Sequence, residues 1–182
     1  MTSIQPYDPT PGQLITTELH KAHFDINWVA PRVYMGAFPA PWSGGSLVDL
    51  PRPGKPVRLR PFGFDAVAFC AYEMQPDALA YPDVQVLRVL LDDIPAIPSP
   101  EVRRELAAVV RELHSLWNDG KRVLITCAMG KNRSGLVTGL LLRSLGFDAE
   151  QAIHDIRAAR RHVGALTNTK FEQLIRDVEF KP

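Results

Sequence analysis

The sequence predicts a single α/β domain whose C-terminal part is helical, on three observations. Short apolar segments rich in β-branched and aromatic residues recur up to Cys127, helical stripes alternate with them from Ser99 onward, and 15 of the 16 prolines lie at or before Pro100. The 182 residues, 46% hydrophobic and 23% charged, suffice for a real core and exclude a disordered, fibrous or disulfide-scaffold chain. A net charge of +1 argues against a general nucleic-acid or membrane-surface binder. The charge is uneven, however: residues 1–119 hold 10 basic and 14 acidic side chains, and residues 120–182 hold 11 and 6. Anion chemistry is therefore expected in the second part.

Taken in order, residues 1–22 carry Pro6, Pro9 and Pro11 and read as an irregular N-terminal arm, leaving 23–182 as one domain. Ile26 to Gly36 reads as a strand pair broken at Pro31. Pro39 to Gly63, with six prolines and four glycines, reads as a long loop of functional interest. Phe64–Ala71 and Val84–Leu91 resemble strands covered on both faces. Ser99 suits a helix cap and Pro100 the first helical position; Val102, Leu106, Val109, Val110, Leu113, Leu116 and Trp117 form one apolar stripe, and Gly120 ends the helix. Val123–Cys127 is a buried strand, followed by a glycine-containing turn and a helix running through Leu136 to Leu145. Asp148 with Gln151 resembles a capping box. Thr167 is the expected cap of a last helix with the stripe Phe171, Leu174, Ile175 and Val178.

No N-terminal run reads as a signal peptide, so a cytoplasmic location is the default expectation. The apolar stretch around Leu140–Leu142 is too short to span a bilayer, and no integral membrane segment is expected. With two cysteines, Cys70 and Cys127, a disulfide framework is not expected, and each thiol is read as a thiol.

The chemistry is concentrated in Thr126-Cys127-Ala128-Met129-Gly130-Lys131-Asn132-Arg133-Ser134. A cysteine ending a strand, six residues before an arginine that opens a helix, suits a tetrahedral oxyanion held beside a sulfur nucleophile. Backbone N–H groups of a tight loop and a helix N-terminus converge on an anion, and the same field favours a thiolate. The planar Arg133 fork matches two phosphate oxygens, Gly130 permits a conformation that a Cβ resists, and Ser134 is placed to hydrogen-bond the sulfur as it leaves. A Cys–Arg pair at this spacing is weak alone; the glycine between and the serine after make it specific.

The pattern Cys-x-x-Gly-x-x-Arg-Ser resembles the signature loop of the cysteine-dependent protein tyrosine phosphatase superfamily, and most of all its dual-specificity branch. The resemblance spans roughly residues 26–178, including Val33–Gly36 as an early strand and turn and Asn168 with Phe171 at the start of the last helix. It implies a central, mostly parallel sheet flanked by helices, and a phosphomonoester hydrolase acting through a cysteinyl-phosphate. In that reading Cys127 is the nucleophile, Ala128, Met129, Gly130, Lys131, Asn132 and Arg133 bind phosphate, and Ser134 assists breakdown. The implied general acid is Asp93, 34 residues before Cys127, with Asp92 as the alternative. No cofactor or metal is implied. The substrate is a phosphorylated protein or a phosphoinositide, and no nucleic acid is involved. The low-molecular-weight phosphatases, which carry the loop near the N-terminus, fit less well.

The chain departs from this family at Thr126, where histidine is usual, and it lacks a phosphotyrosine-recognition motif. Lys131 is similar to the lysine of lipid and inositol phosphatases, and equally reads as a solvated loop residue. Arg157, Arg160, Arg161 and His162 read as a hydrated cluster that would at most enlarge an electropositive rim. Cys70 reads as a small buried side chain; resemblance to some lipid phosphatases adds an oxidative bond to Cys127. His20 and His23, spaced H-x-x-H without other clustered ligands, do not suggest zinc. His114 and His154 are expected exposed. The alternatives are a phosphate-binding pseudophosphatase and, on a similar loop, sulfur transfer or arsenate reduction.

Overall fold

The computed structural model describes residues 10–22, 24–39 and 56–178. Among them, five strands form one sheet: β1 (Ile26–Ala30), β2 (Val33–Ala37), β3 (Ala66–Ala71), β4 (Gln85–Leu91) and β5 (Val123–Cys127), in the order β1-β2-β5-β3-β4. The β1–β2 hairpin is antiparallel and the other pairings are parallel, so the α/β sheet is mostly parallel, as expected.

The central strands are buried on both faces, and their alternation divides the core in two. Val123 and Ile125 of β5, with Ala66, Ala68 and Cys70 of β3, join one apolar cluster; Leu124, Val67 and Phe69 point into the other. The first cluster is completed by helices α2 (Pro100–Asn118), α3 (Arg133–Ser144), α4 (Ala149–Ala159) and α5 (Thr169–Asp177). Tyr34, Phe64, Tyr81 and the fully buried Leu19 build the second. β4 differs from its sequence reading. It is an edge strand in which Gln85, Arg88 and Leu90 are exposed while Leu87, Val89 and Leu91 are buried, because helix α2 covers only one of its faces.

The N-terminal arm also needs correcting: Thr10–Lys21 form a helix, α1. Ile15 and Leu19, four residues apart, place one face on the second cluster, and the Thr16 hydroxyl accepts a hydrogen bond from the Trp28 backbone at 3.1 Å. A short segment with so few apolar residues gains its helicity from docking rather than from propensity, which a local reading among prolines and threonines misses. Residues 1–9 and His23 of the H-x-x-H pair lie outside the described residues.

Helix α2 follows the sequence reading closely. Ser99 accepts from the Val102 N–H, Pro100 opens the helix, and Leu106, Val109, Val110 and Leu113 are buried. Asp148 caps α4 by accepting from the Gln151 N–H, although the Gln151 side chain turns to Asp155 instead of closing a box. The last helix is capped by Asn168, not Thr167; the Thr167 N–H and hydroxyl are both engaged by Asn132 Oδ1, at 2.8 and 3.2 Å. His114 is half-buried against Ser144, while His154 is exposed as expected.

Of the Pro39–Gly63 loop, residues 40–55 lie outside the described residues. Its two flanks are anchored: Tyr81 donates to the Pro39 carbonyl at 2.9 Å, and the Leu59 and Arg60 N–H groups bind the Asp83 carboxylate. The parallel strands β5, β3 and β4 end at one edge of the sheet, where open α/β sheets place their ligands. The segments that follow these strands meet there, linked by Arg133 to Glu73 and by Asn132 to Asp93.

Candidate active site

Strand β5 delivers Cys127 to this edge, 3% exposed. Its Sγ lies 3.1 Å from the Ser134 hydroxyl, which is fully buried on the first turn of α3. Between them, the carbonyl of every loop residue is held by a donor from outside the loop's interior. Ala128 O accepts from the Phe38 N–H at 3.4 Å, Met129 O and Gly130 O from the Arg160 guanidinium at 3.0 Å each, Lys131 O from the Leu166 N–H at 3.3 Å, and Asn132 O from the Leu136 N–H at 2.8 Å. In a planar trans peptide the following N–H points opposite to the carbonyl, and the structure has no cis bond among its described residues. The N–H groups of residues 129–133 are thereby turned inward beside Cys127, an arrangement that binds anions.

Gly130 makes the turn possible, with φ of +60°. A Cβ there would lie 2.5 Å from both Ala37 N and Arg160 Nη2 and overlap the Gly36 carbonyl carbon. Leu166 shares the left-handed conformation, at φ of +55°, unusual for a residue with a side chain. It is held from both sides, its N–H on Lys131 O and its carbonyl accepting from Arg157 at 3.0 Å.

Arg133 opens α3, as the sequence implies, and is 8% exposed. Its Nη1 pairs with Glu73 and lies 3.5 Å from the Leu91 carbonyl. Its Nε is buried with no hydrogen-bond partner among the described residues. An oxyanion in the loop would satisfy that donor. Glu73 carries no local sequence signal: it follows β3, and only the parallel β3–β5 pairing places it near the signature loop. The hydrogen bond from Arg133 holds its carboxyl below the ordinary glutamate range.

The segment after β4 is tied to the loop of residues 128–132 through Asp93. One carboxylate oxygen accepts from Asn132 Nδ2 at 3.0 Å and the other from Asn168 Nδ2 at 3.1 Å; Asn168 also donates to the Ile94 carbonyl at 2.8 Å. Asp92 is exposed, with no hydrogen bond to the signature loop among the described residues. Lys131 is half-buried, and Ala128 and Met129 complete the loop. Thr126, in the position usually held by histidine, is fully buried and donates to the Ala68 carbonyl at 3.3 Å. Its hydroxyl therefore ties β5 to β3 rather than ordering the loop. Cys70 sits one residue beyond the Phe69–Thr126 register pair, in the same apolar cluster as Cys127. Burial, and secondarily the neighbouring Cys127, push its thiol well up, and both cysteines are free. Among the described residues, no His, Cys, Asp and Glu cluster is suited to a metal.

The basic cluster requires a correction at Arg160, which is fully buried and not hydrated surface; Arg157, Arg161 and His162 are exposed as expected, with Arg157 paired to Glu172 at 2.9 Å. His162 binds Asp25 at 2.9 Å. Burial raises the Asp25 pKa, but hydrogen bonds and charge from Arg160 and then His162 outweigh it and leave the carboxyl below the ordinary 3.8. A lowered acid pKa stabilises the fold above the ordinary value, and that stabilisation is lost as pH falls through the lowered one. The stability difference between the wild type and Asp25→Asn is thus expected to shrink as pH drops below 3.8. Denaturant unfolding from pH 7 to pH 2 checks it; a constant difference would contradict the ion pair.

Residues 54–179 match the family described as dual specificity phosphatase, catalytic domain. Solved structures of similar fold include Tk-PTP in its active form, 24% identical, covering 85% of this chain and 98% of that one with a TM-score of 0.62. Human DUSP28 is 19% identical over 84% of this chain and 93% of its own, TM-score 0.63. PTPMT1 in complex with PI(5)P is 17% identical over 83% and 96%, TM-score 0.56. No curated protein sequence matches the chain significantly.

Proposed function

Since this chain belongs to the dual-specificity phosphatase catalytic-domain family, we propose that it hydrolyses phosphomonoesters through a cysteinyl-phosphate intermediate, with phosphorylated protein as substrate. The observation that carries this reading is the set of five loop carbonyls between Cys127 and Arg133 held by donors around the loop, which by peptide planarity turns the intervening N–H groups toward Cys127. The Cys127 thiolate attacks phosphorus as the ester oxygen departs, and Asp93 gives that oxygen its proton. The loop N–H groups and Arg133 hold the charge on the three non-bridging oxygens. Water then attacks the phosphocysteine, Asp93 recovers a proton from it, and the Ser134 hydroxyl hydrogen-bonds the departing sulfur. Inorganic phosphate and the original thiolate result.

The surroundings of the loop favour a single phosphate on an apolar or aromatic group. Tyr72, Ile94 and Met129, on the segments that follow β3, β4 and β5, expose large apolar surfaces, while Arg160 and Arg157 are already engaged by protein acceptors. Lys131 is the basic side chain left within the loop, less than a polyphosphorylated inositol head would use. Purified protein is expected to hydrolyse p-nitrophenyl phosphate undiminished by a chelator, and phosphotyrosine peptides in preference to phosphothreonine peptides and inositol phosphates. Steady-state assays across that panel decide. Turnover abolished by chelation would overturn the cysteine chemistry, and preference for inositol phosphates the substrate class.

A further inference from the structure

Arg160 uses every N–H of its guanidinium. Nε donates to the Gly130 carbonyl and Nη2 to the Met129 carbonyl, both at 3.0 Å. The remaining donors grip the start of β1. Nη2 binds Asp25 Oδ2 at 2.8 Å, and Nη1 binds Asp25 Oδ1 and Asn27 Oδ1 at 2.6 Å each, with the Asp25 carbonyl at 3.2 Å. Five N–H groups in one plane are what arginine offers and lysine lacks. The side chain is 0% exposed, and a buried cation at this cost is retained only with its partners in place.

We propose that Arg160 is a positioning residue for the phosphate site, setting the two peptide units on either side of Gly130. With the Met129 and Gly130 carbonyls drawn to the guanidinium, the N–H groups of Gly130 and Lys131 face the anion. Asp25 and Asn27 orient the plane of the fork, and β1, hydrogen-bonded to β2, anchors it to the sheet. The left-handed turn at Gly130 packs directly on this fork, since a Cβ there would meet Arg160 Nη2. Arg160 does not touch the reacting atoms; it removes from the loop the freedom to turn a carbonyl inward, where it would repel an oxyanion. Preorganised donors of this kind stabilise charge without reorganisation at the moment of reaction.

The proposal rests on the loop being the phosphate site, and its test separates the two. Tungstate, a tetrahedral oxyanion, is titrated by calorimetry into wild type, Arg160→Met and Arg160→Lys, alongside thermal unfolding and kcat/KM for p-nitrophenyl phosphate. Arg160→Met is expected to unfold cooperatively at a lower temperature and, while folded, to bind tungstate at least tenfold more weakly, with a parallel fall in kcat/KM. Arg160→Lys keeps a charge beside Asp25 but reaches one carbonyl instead of two, so its affinity is expected to fall between the other two. A purely structural arginine would lower the unfolding temperature and leave the affinity of the folded protein unchanged, which would overturn the proposal. Should Arg160→Met not fold, unchanged affinity in Arg160→Lys would overturn it equally. Tungstate binding by a wild type that hydrolyses nothing would sink the catalytic reading while leaving Arg160 testable. Failure of wild type to bind tungstate would overturn both.

Discussion

Replacing Cys127 by serine is expected to reduce p-nitrophenyl phosphate turnover by about 10⁴-fold or more, because the substitution removes the proposed nucleophile and leaves the contacts that shape the loop in place. A serine hydroxyl is far less acidic than a thiol, so the field of the inward N–H groups does not yield an alkoxide at neutral pH. The loop itself is left standing: its carbonyls are held by Phe38, Arg160, Leu166 and Leu136, none of which depends on the sulfur. Oxyanion affinity should therefore survive in Cys127→Ser within a few-fold. Turnover within tenfold of wild type would remove Cys127 from the mechanism, whatever the fold.

The second large effect is expected at Asp93. Asp93→Asn should slow substrates with poor leaving groups by about 10²–10⁴-fold, the usual contribution of a positioned proton donor. Esters of acidic phenols, which leave without that proton, should be affected much less. Asp92→Asn should change little: both aspartates are exposed, but among the described residues only Asp93 is bound to the loop, its two oxygens held by Asn132 and Asn168. Steady-state rates across aryl phosphates of graded leaving-group acidity measure this. Equal losses in the two aspartate variants, or a loss indifferent to the leaving group, would reassign the acid.

The contrast between these residues and Arg160 shows what a local reading captures. The signature loop is legible because its chemistry lies within nine consecutive residues, and helix α2 because its cap, first proline and apolar stripe are all local. Arg160 reads as surface because its partners, Asp25 and Asn27, lie 135 and 133 residues away, and nothing near it in the chain signals burial. Glu73 is hidden similarly: its meaning comes from strand order. Thr167 reads as a cap from its neighbours alone, but Asn168 takes that position because the Asn132 amide oxygen of the distant loop accepts from both Thr167 donors. Helix α1 is illegible locally because one buried and one half-buried side chain four residues apart are too thin a pattern without the sheet they rest on. In each case the missing information is a long-range contact, and most of those contacts converge on the signature loop or on the asparagines that hold Asp93.

The central claim is that phosphate passes through a covalent bond to Cys127. Denaturing quench of the protein during incubation with a phosphomonoester, followed by peptide mass analysis, addresses it directly. The account predicts one phosphoryl group on the peptide carrying Cys127, formed as fast as the first equivalent of alcohol is released and absent from Cys127→Ser. Rapid product release with Cys127 unmodified, or a phosphoryl group on any other residue, would contradict it.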